Sequence, residues 1–325
     1  MWDDVQKYIG EHEKFAVTTH IHPDGDAVGS EVALAAFLEG LGKRVVIVNS
    51  SPTAPNNAFL DPEHRILVYP EDGSARALDE ADLVFILDVN NWAHLGTFGD
   101  AVRRSAIPRI CIDHHEGEDE SFADIVISDT TAAATGLLIY ELILAMKGEI
   151  TATIAEAVFA TLVSDTGTFR FSNTDERVLR AAADLCGQGV KPSEIHRHAF
   201  SKTGSAVKLL GVVLHTLSST DDGKIAWIHV SREMFRDAGA GYEDSDGILD
   251  VVRAMEEVEY CLFFKELEDG KVKISLRSNG KVDVHKIAKS LGGGGHRMAA
   301  GATVDGPMEH AIQSVVKTCT TKYRP

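Results

Sequence analysis

The chain has 325 residues, 44% of them hydrophobic, which is enough for two ordinary domains, each with its own core. A formal net charge of −17 excludes a protein that grips long nucleic acid by neutralising many phosphates with Lys and Arg. Cys111, Cys186, Cys261 and Cys319 contain no CxxC pair, so neither a cysteine zinc site nor a disulfide framework is indicated, and no leader or membrane-length apolar run stands in the sequence; a reducing cytoplasm is expected.

The acid is concentrated in the first part. Residues 1–190 carry 13 basic and 31 acidic side chains, 191–218 carry 4 and 1, and 219–325 carry 15 and 17. In chain order, Phe15-Ala16-Val17 has strand character and leads into TTHIHPDGDAVGS, Thr18 to Ser30. Val28, Val32, Ala35, Ala36, Leu38 and Leu41 then follow helical spacing. His20, Asp24 and Asp26 thus fall in a strand-to-helix turn, where open parallel sheets bind ligands, and carboxylate with imidazole suits a divalent cation such as manganese. On this stretch alone a plainer reading stands beside it, in which the two aspartates cap the helix and His20 is a satisfied polar group.

RVVIVN (Arg44 to Asn49) reads as a second strand, followed by a Pro- and Asn-rich loop from Ser50 to Asn57. DLVFILD (Asp82 to Asp88) and RICIDHH (Arg109 to His115) are apolar runs that end in acid and in Asp-His-His. Thr131 to Lys147 and Thr151 to Ser164 read as apolar helices, the second delivering Asp165 into the turn SDTGTFRFSNT. Each acid taken singly is explained by a turn or a solvated strand end. Together they place metal-type ligands at the ends of four elements, and a chain burying that much carboxylate needs a cation.

Residues 191–218 open with Lys-Pro and continue as an amphipathic linker helix; His196 and His198 read as exposed helix residues rather than ligands. Lys224 to Ser231, Tyr260 to Glu266 and Val272 to Arg277 read as strands of a smaller mixed sheet, with a turn around Asp269-Gly270. Lys271 to Arg297 holds Lys271, Lys273, Arg277, Lys281, Lys286, Lys289 and Arg297 against Asp283 alone, a place for a small anion. A helix from Val284 to Leu291 then precedes GGGGH (Gly292 to His296), whose glycines let backbone N–H groups converge on phosphate. Arg277, Gly294, Gly295 and His296 are the expected substrate-binding residues. The expected organisation is α/β throughout: a parallel-sheet domain over 1–190, the linker helix, and a smaller α/β domain with a mixed sheet over 219–325.

HIHPDGDAVGS, LDV, DHH, SDTGTFRFSNT and GGGGHRMAAG, in that order from His20 to Gly301, resemble the DHH phosphoesterases with a DHH-associated C-terminal domain. Within that family the similarity is to the NrnA-type nano-RNases and 3′-phosphoadenosine 5′-phosphate (pAp) phosphatases. The resemblance implies two manganese ions, with His20 and Asp24 on one, Asp26 and His114 on the other, Asp88 bridging and Asp165 completing the set. It implies that Asp113 fixes a ligand histidine and that His115 faces substrate phosphate. The activity so implied is two-metal hydroxide attack on short oligoribonucleotides and on pAp. Alternatives are hydrolysis of linear or cyclic dinucleotide messengers or of short polyphosphate, and a non-catalytic nucleotide sensor, which loss of a metal ligand would mark. Cleavage polarity, native metal and homodimerisation stay open. Two departures bear on substrate orientation: His94 stands where the family usually has an arginine, and Glu116-Gly117-Glu118-Asp119-Glu120 follows DHH where an asparagine is common.

Overall fold

A computed structural model describes residues 1–71, 74–115, 117 and 122–324. The chain divides into two compact units, Met1–Ser201 and Lys202–Pro325. In the first, the elements run α1 (Asp3–Glu11), β1 (Lys14–Thr18), α2 (Gly25–Gly40), β2 (Arg44–Asn49), β3 (Ile66–Val68), α3 (Ala77–Glu80), β4 (Leu83–Leu87), α4 (Gly96–Arg104), β5 (Arg109–Asp113), β6 (Ile125–Ser128), α5 (Thr135–Ala145), α6 (Ala152–Asp165), α7 (Glu176–Gly187) and α8 (Pro192–Phe200). The strands form one parallel sheet in the order β3-β2-β1-β4-β5-β6.

Both faces of that sheet are covered, which is why its central strands read as unbroken apolar runs. Phe15, Val17, Leu83, Phe85, Leu87, Ile110 and Ile112 pack with Leu34, Leu38, Leu138 and Leu162 on one face. Ala16, Val84, Ile86 and Cys111 meet Leu95, Phe98 and Val102 on the other. On the first face α2 and α5 close tightly onto α6 because glycines stand at the contacts. A Cβ on Gly29 would lie 2.7 Å from Ala157 O, and one on Gly136 would lie 2.1 Å from Thr161 Oγ1. This packing gathers the start of α2, the start of α5 and the end of α6 beside the C-terminal ends of the strands.

The stretch 191–218 is not one helix: α8 ends at Phe200, and α9 (Gly204–Leu214) begins with Thr203 as its cap, so the division into units falls between the two helices. The second unit continues with β7 (Ser218–Ser219), β8 (Ile225–Val230), α10 (Arg232–Ala238), α11 (Ile248–Arg253), β9 (Tyr260–Glu266), β10 (Val272–Ser278), α12 (Val284–Ser290), β11 (Gly294–Gly295), β12 (Ala299–Val304) and α13 (Met308–Lys322). Its sheet is mixed, in the order β11-β12-β10-β9-β8-β7, with β8 and β9 parallel and the other pairs antiparallel. Leu262, Phe264, Ile274 and Leu276 pack with α12 and α13 on one face, and Ile228, Cys261 and Phe263 with α9 and α11 on the other. Among the described residues no helix is long and apolar enough to cross a membrane.

Candidate metal centre

The two aspartates of the first turn have different roles. Asp24 caps α2, its Oδ1 accepting from the N–H groups of Asp26 at 3.0 Å and Ala27 at 3.1 Å. Asp26 is fully buried and turns instead to the N-terminus of α5, where unpaired N–H groups favour an anion. It accepts from Thr135 N–H at 2.7 Å, Gly136 N–H at 2.9 Å and the Ser30 hydroxyl at 3.2 Å. Asp88, just past β4, takes a left-handed backbone with φ of 59°, a conformation rare for a non-glycine residue, and its Oδ1 accepts from the Thr135 hydroxyl at 3.1 Å.

Three histidines are oriented through Nδ1. That atom donates to Ile21 O in His20 (2.9 Å), to Ala132 O in His114 (3.2 Å) and to Asp113 Oδ1 in His115 (2.8 Å). Each partner only accepts, so Nδ1 carries a proton in each ring, which leaves Nε2 of His20 and of His114 as the candidate ligand atom. Asp113 therefore fixes His115, and it is a backbone carbonyl, not Asp113, that fixes His114. His20 Nε2 lies 3.5 Å from Asp88 Oδ2 and 4.0 Å from Asp24. His114 Nε2 lies 3.3 Å from Asp165, 3.5 Å from Asp88 Oδ1 and 3.7 Å from Asp26. Three groups have ligand atoms within 4.8 Å of one another: His20, Asp24 and Asp88; Asp26, His114 and Asp165; and Asp88, His114 and His115.

Electrostatics shows what this crowd lacks. Burial, then the charges of Asp165 and Asp24, push the Asp26 carboxyl up to about 7. Burial and the neighbouring aspartates hold Asp88 well above the usual carboxylate range, and burial also raises Asp165. Burial by itself would lower the His114 ring, but Asp165 and Asp26 outweigh it and raise the ring to about 9. The buried His114 Nε2 makes no hydrogen bond, although three carboxylates surround it. Oxygen and imidazole donors, an excess of buried anion and an unpartnered ring nitrogen fit divalent cations.

Sequence reasoning passed over the residues that hold the ligands. Thr135 and Gly136 reach them from α5, and Asn173 Nδ2 donates to Asp165 O at 3.1 Å. Asn90 Nδ2 donates to Gly117 O at 2.8 Å, tying the loop after Asp88 to the chain after the histidines. Thr135 and Gly136 sit within a helix read only for its apolar face, so their N-terminal position was the available signal. The usual-arginine position, His94, is exposed, and its carbonyl accepts the Ile21 N–H at 2.7 Å, supporting the His20 loop through backbone alone. Of the acidic stretch after His115, Glu116, Glu118, Asp119 and Glu120 lie outside the described residues. His198 stacks on Phe59 at 5.1 Å and His196 packs on Phe200 at 4.9 Å; neither joins a ligand group among the described residues.

In the second unit, Arg277 lies on β10, half-buried, with Nη1 donating to Leu276 O. Gly294 and Gly295 form β11, paired to Gly301 and Ala300, and His296 is exposed at the turn. The glycine run does not offer a row of open N–H groups. Gly292 N–H donates to Lys289 O, Gly293 N–H to Ala288 O and His296 N–H to Ala299 O. Close packing accounts for two of the glycines: a Cβ on Gly293 would lie 2.1 Å from Gly301 O, and Gly295, at φ of 133°, would meet Ala300 Cα at 2.5 Å, whereas Gly292 and Gly294 have open space around them.

Residues 14–163 match the DHH family, N-terminal domain, and residues 224–322 match the DHHA1 domain. Over 307 residues, 93% of this chain and 87% of that protein, the sequence is 34% identical to the bifunctional oligoribonuclease and PAP phosphatase NrnA of Thermus thermophilus. It is 27% identical to the protein of the same name from Bacillus subtilis, covering 94% of this chain and 93% of that one. An exopolyphosphatase-related protein from Bacteroides fragilis, 27% identical, has the same fold with a TM-score of 0.92 over 97% of this chain and 95% of its own. With both domains matched in sequence order and a relative this similar across almost the whole length, the chain belongs to the DHH family, in the NrnA-type branch that carries a DHHA1 domain.

Proposed function

We propose that the protein is a divalent-metal-dependent phosphoesterase that trims short oligoribonucleotides to mononucleotides and removes the 3′-phosphate of pAp to leave AMP. The observation that carries this reading is the buried His114 Nε2, without a hydrogen bond, ringed by Asp26, Asp88 and Asp165. Its support is the identity to the two NrnA proteins. His20 and Asp24 would hold one cation and Asp26, His114 and Asp165 the other, with Asp88 available to both, since its Oδ2 faces His20 and its Oδ1 faces His114. Manganese suits this set of donors. When bound, the metal activates the attacking water and neutralises charge at phosphorus.

The chain's own groups do the rest. Donating its Nδ1–H to Asp113 holds the His115 ring above its ordinary value, so the ring keeps a proton on Nε2 as well, to donate to a phosphoryl oxygen. Arg277 and His296 of the second unit grip substrate phosphate, Gly294 and Gly295 giving that turn its shape. So few cations favour RNA of about two to five nucleotides over long strands. A cytoplasmic setting agrees with the free cysteines Cys111, Cys186, Cys261 and Cys319.

The test is chelator-stripped protein resupplied with Mn²⁺, Mg²⁺ or Zn²⁺ and assayed on pAp, on 5′-labelled RNA from a dinucleotide to about 24 nucleotides, and on linear and cyclic dinucleotide messengers. Mn²⁺-restored cleavage of pAp and of the shortest RNAs is expected, and Asp88→Ala is expected to abolish it. Activity that survives chelation refutes the metal site, and faster cleavage of the longest RNA than of a dinucleotide refutes the substrate class.

A further inference from the structure

In the second unit, β9 and β10 pair so that Lys265 stands opposite Lys273 and Cys261 opposite Arg277. Lys273, Ser275 and Arg277 share one face of β10, which puts Lys273 about 13 Å along the strand from Arg277. Like charges directly opposite one another destabilise a sheet. Here one of them is also buried: Lys265 is 5% exposed, its Nζ donating to the Ser245 hydroxyl at 2.7 Å with Asp246 at 3.6 Å. Both ammonium groups lie against the Tyr242 ring, at 4.8 and 5.7 Å from its centroid. Phe235 stacks with Tyr242 at 6.1 Å and 23°. The two rings line a cavity of about 410 Å³ together with Arg232, Arg236 and Glu266. Glu266 accepts the Arg232 backbone N–H at 2.9 Å, and neither guanidinium forms an ion pair among the described residues. The exposed Glu268 completes the rim.

A cavity of this size, with an aromatic wall, guanidinium donors and carboxylate acceptors, is chemistry for a nucleobase, and the exposed Lys273 beside it is chemistry for a phosphate, with the buried Lys265 backing the Tyr242 ring. We propose that Arg232, Phe235, Arg236, Tyr242 and Lys273 form a nucleotide subsite that takes a base and phosphate of an oligoribonucleotide farther along the strand than the phosphate at Arg277. This rests on the reading that the protein acts on short RNA and names how it tells RNA from pAp. The two phosphates of a nucleotide bisphosphate lie closer together than these two backbone positions, whereas a strand of several nucleotides covers that spacing. The subsite therefore lowers KM for the longer of the short substrates and leaves pAp unaffected.

The test measures KM and kcat on pAp and on an RNA pentanucleotide for Mn²⁺-loaded full-length protein carrying Tyr242→Ala, Tyr242→Phe or Lys273→Ala. Removing one stacking ring is expected to raise the pentanucleotide KM about 5- to 100-fold, with kcat and the pAp kinetics kept, while Tyr242→Phe stays near wild type. Lys273→Ala is expected to raise the same KM and to flatten its salt dependence. An unchanged pentanucleotide KM in Tyr242→Ala, or an equal loss on pAp, overturns the subsite. Anisotropy of a fluorescent pentanucleotide supplies a readout independent of turnover. Affinity that depends on Tyr242 in a protein that cleaves neither substrate upholds the subsite and overturns the hydrolase reading; cleavage with affinity indifferent to Tyr242 does the reverse.

Discussion

Gly136→Ala should damage the metal centre without touching a ligand. The added Cβ would sit 2.1 Å from Thr161 Oγ1, 2.4 Å from its Cγ2 and 2.6 Å from its Cβ. Thr161 cannot turn away cheaply, because it is buried and its hydroxyl donates to Val158 O at 2.7 Å. Relief therefore requires α5 to back off α6 by about 1 Å, the shortfall from ordinary carbon contact. That motion withdraws the Thr135 and Gly136 N–H groups, now 2.7 and 2.9 Å from Asp26, and the Thr135 hydroxyl from Asp88. Overpacking of this kind costs about 1 to 3 kcal/mol of stability. Loss of the bonds that orient a ligand weakens metal affinity about 10- to 100-fold. Calorimetric titration of Mn²⁺ into chelator-stripped protein measures it. Gly10→Ala, in α1 with nothing within 4 Å, is the control and should gain up to about 1 kcal/mol. Adding Thr161→Ala removes the two nearest atoms and should recover part of the loss. Wild-type Mn²⁺ affinity in Gly136→Ala would refute the claim that the start of α5 holds Asp26.

Two further predictions concern protons. Asp113→Asn removes the anion that raises the His115 ring, so the alkaline limb of the kcat/KM profile should move to lower pH; an unmoved limb would show that the ring's proton is not used. Glu31 is buried in α2, its Oε2 accepting from Asn49 Nδ2 at 2.9 Å and its Oε1 unpartnered, and burial raises its carboxyl well above the unfolded value. Its contribution to stability is thus present below about pH 4.5 and lost as pH rises through the folded value. Glu31→Gln keeps the acceptor for Asn49 and should raise Tm at pH 8 by at least about 2 to 4 °C, with no gain at pH 4. A Tm that falls at pH 8, or shifts equally at both, would show that Glu31 is charged in the fold.

The parallel sheet was legible because both of its faces are covered, so strands such as Leu83–Leu87 are apolar at every position and end in polar residues. The turns that carry the candidate ligands were legible for the same reason: Asp88 and His114 follow directly on strands, and His20 stands two residues after one. What escaped was set by tertiary packing. β3 and β6 are short and half-exposed, with no alternation to mark them. The break between α8 and α9 was hidden by amphipathic spacing on both sides of Ser201. In the glycine run the sequence records flexibility but not the backbone of β12 lying against Gly293 and Gly295. Nor did any local pattern connect Thr135 and Gly136 to Asp26, more than a hundred residues earlier.

Charge is paired differently in the two units, and the difference has a chemical logic. Among the described residues no Lys or Arg forms an ion pair with Asp24, Asp26, Asp88 or Asp165; their partners are imidazoles, hydroxyls and backbone N–H groups. A lysine in that crowd would have stabilised the fold and occupied the place of a cation. Instead, neutral donors orient the carboxylates and leave their charge available to a divalent ion. The second unit shows the converse at Lys273 and Arg277, which stand on one face of β10 without a carboxylate partner among the described residues. Such cations stay available to phosphate oxygens. An anionic surplus suited to metal in the first unit and unpaired cations suited to phosphate on one face of β10 in the second are what a phosphoesterase for short substrates needs. In a chain of net charge −17, those two cations are kept clear of carboxylate partners within a unit whose acid and base nearly balance.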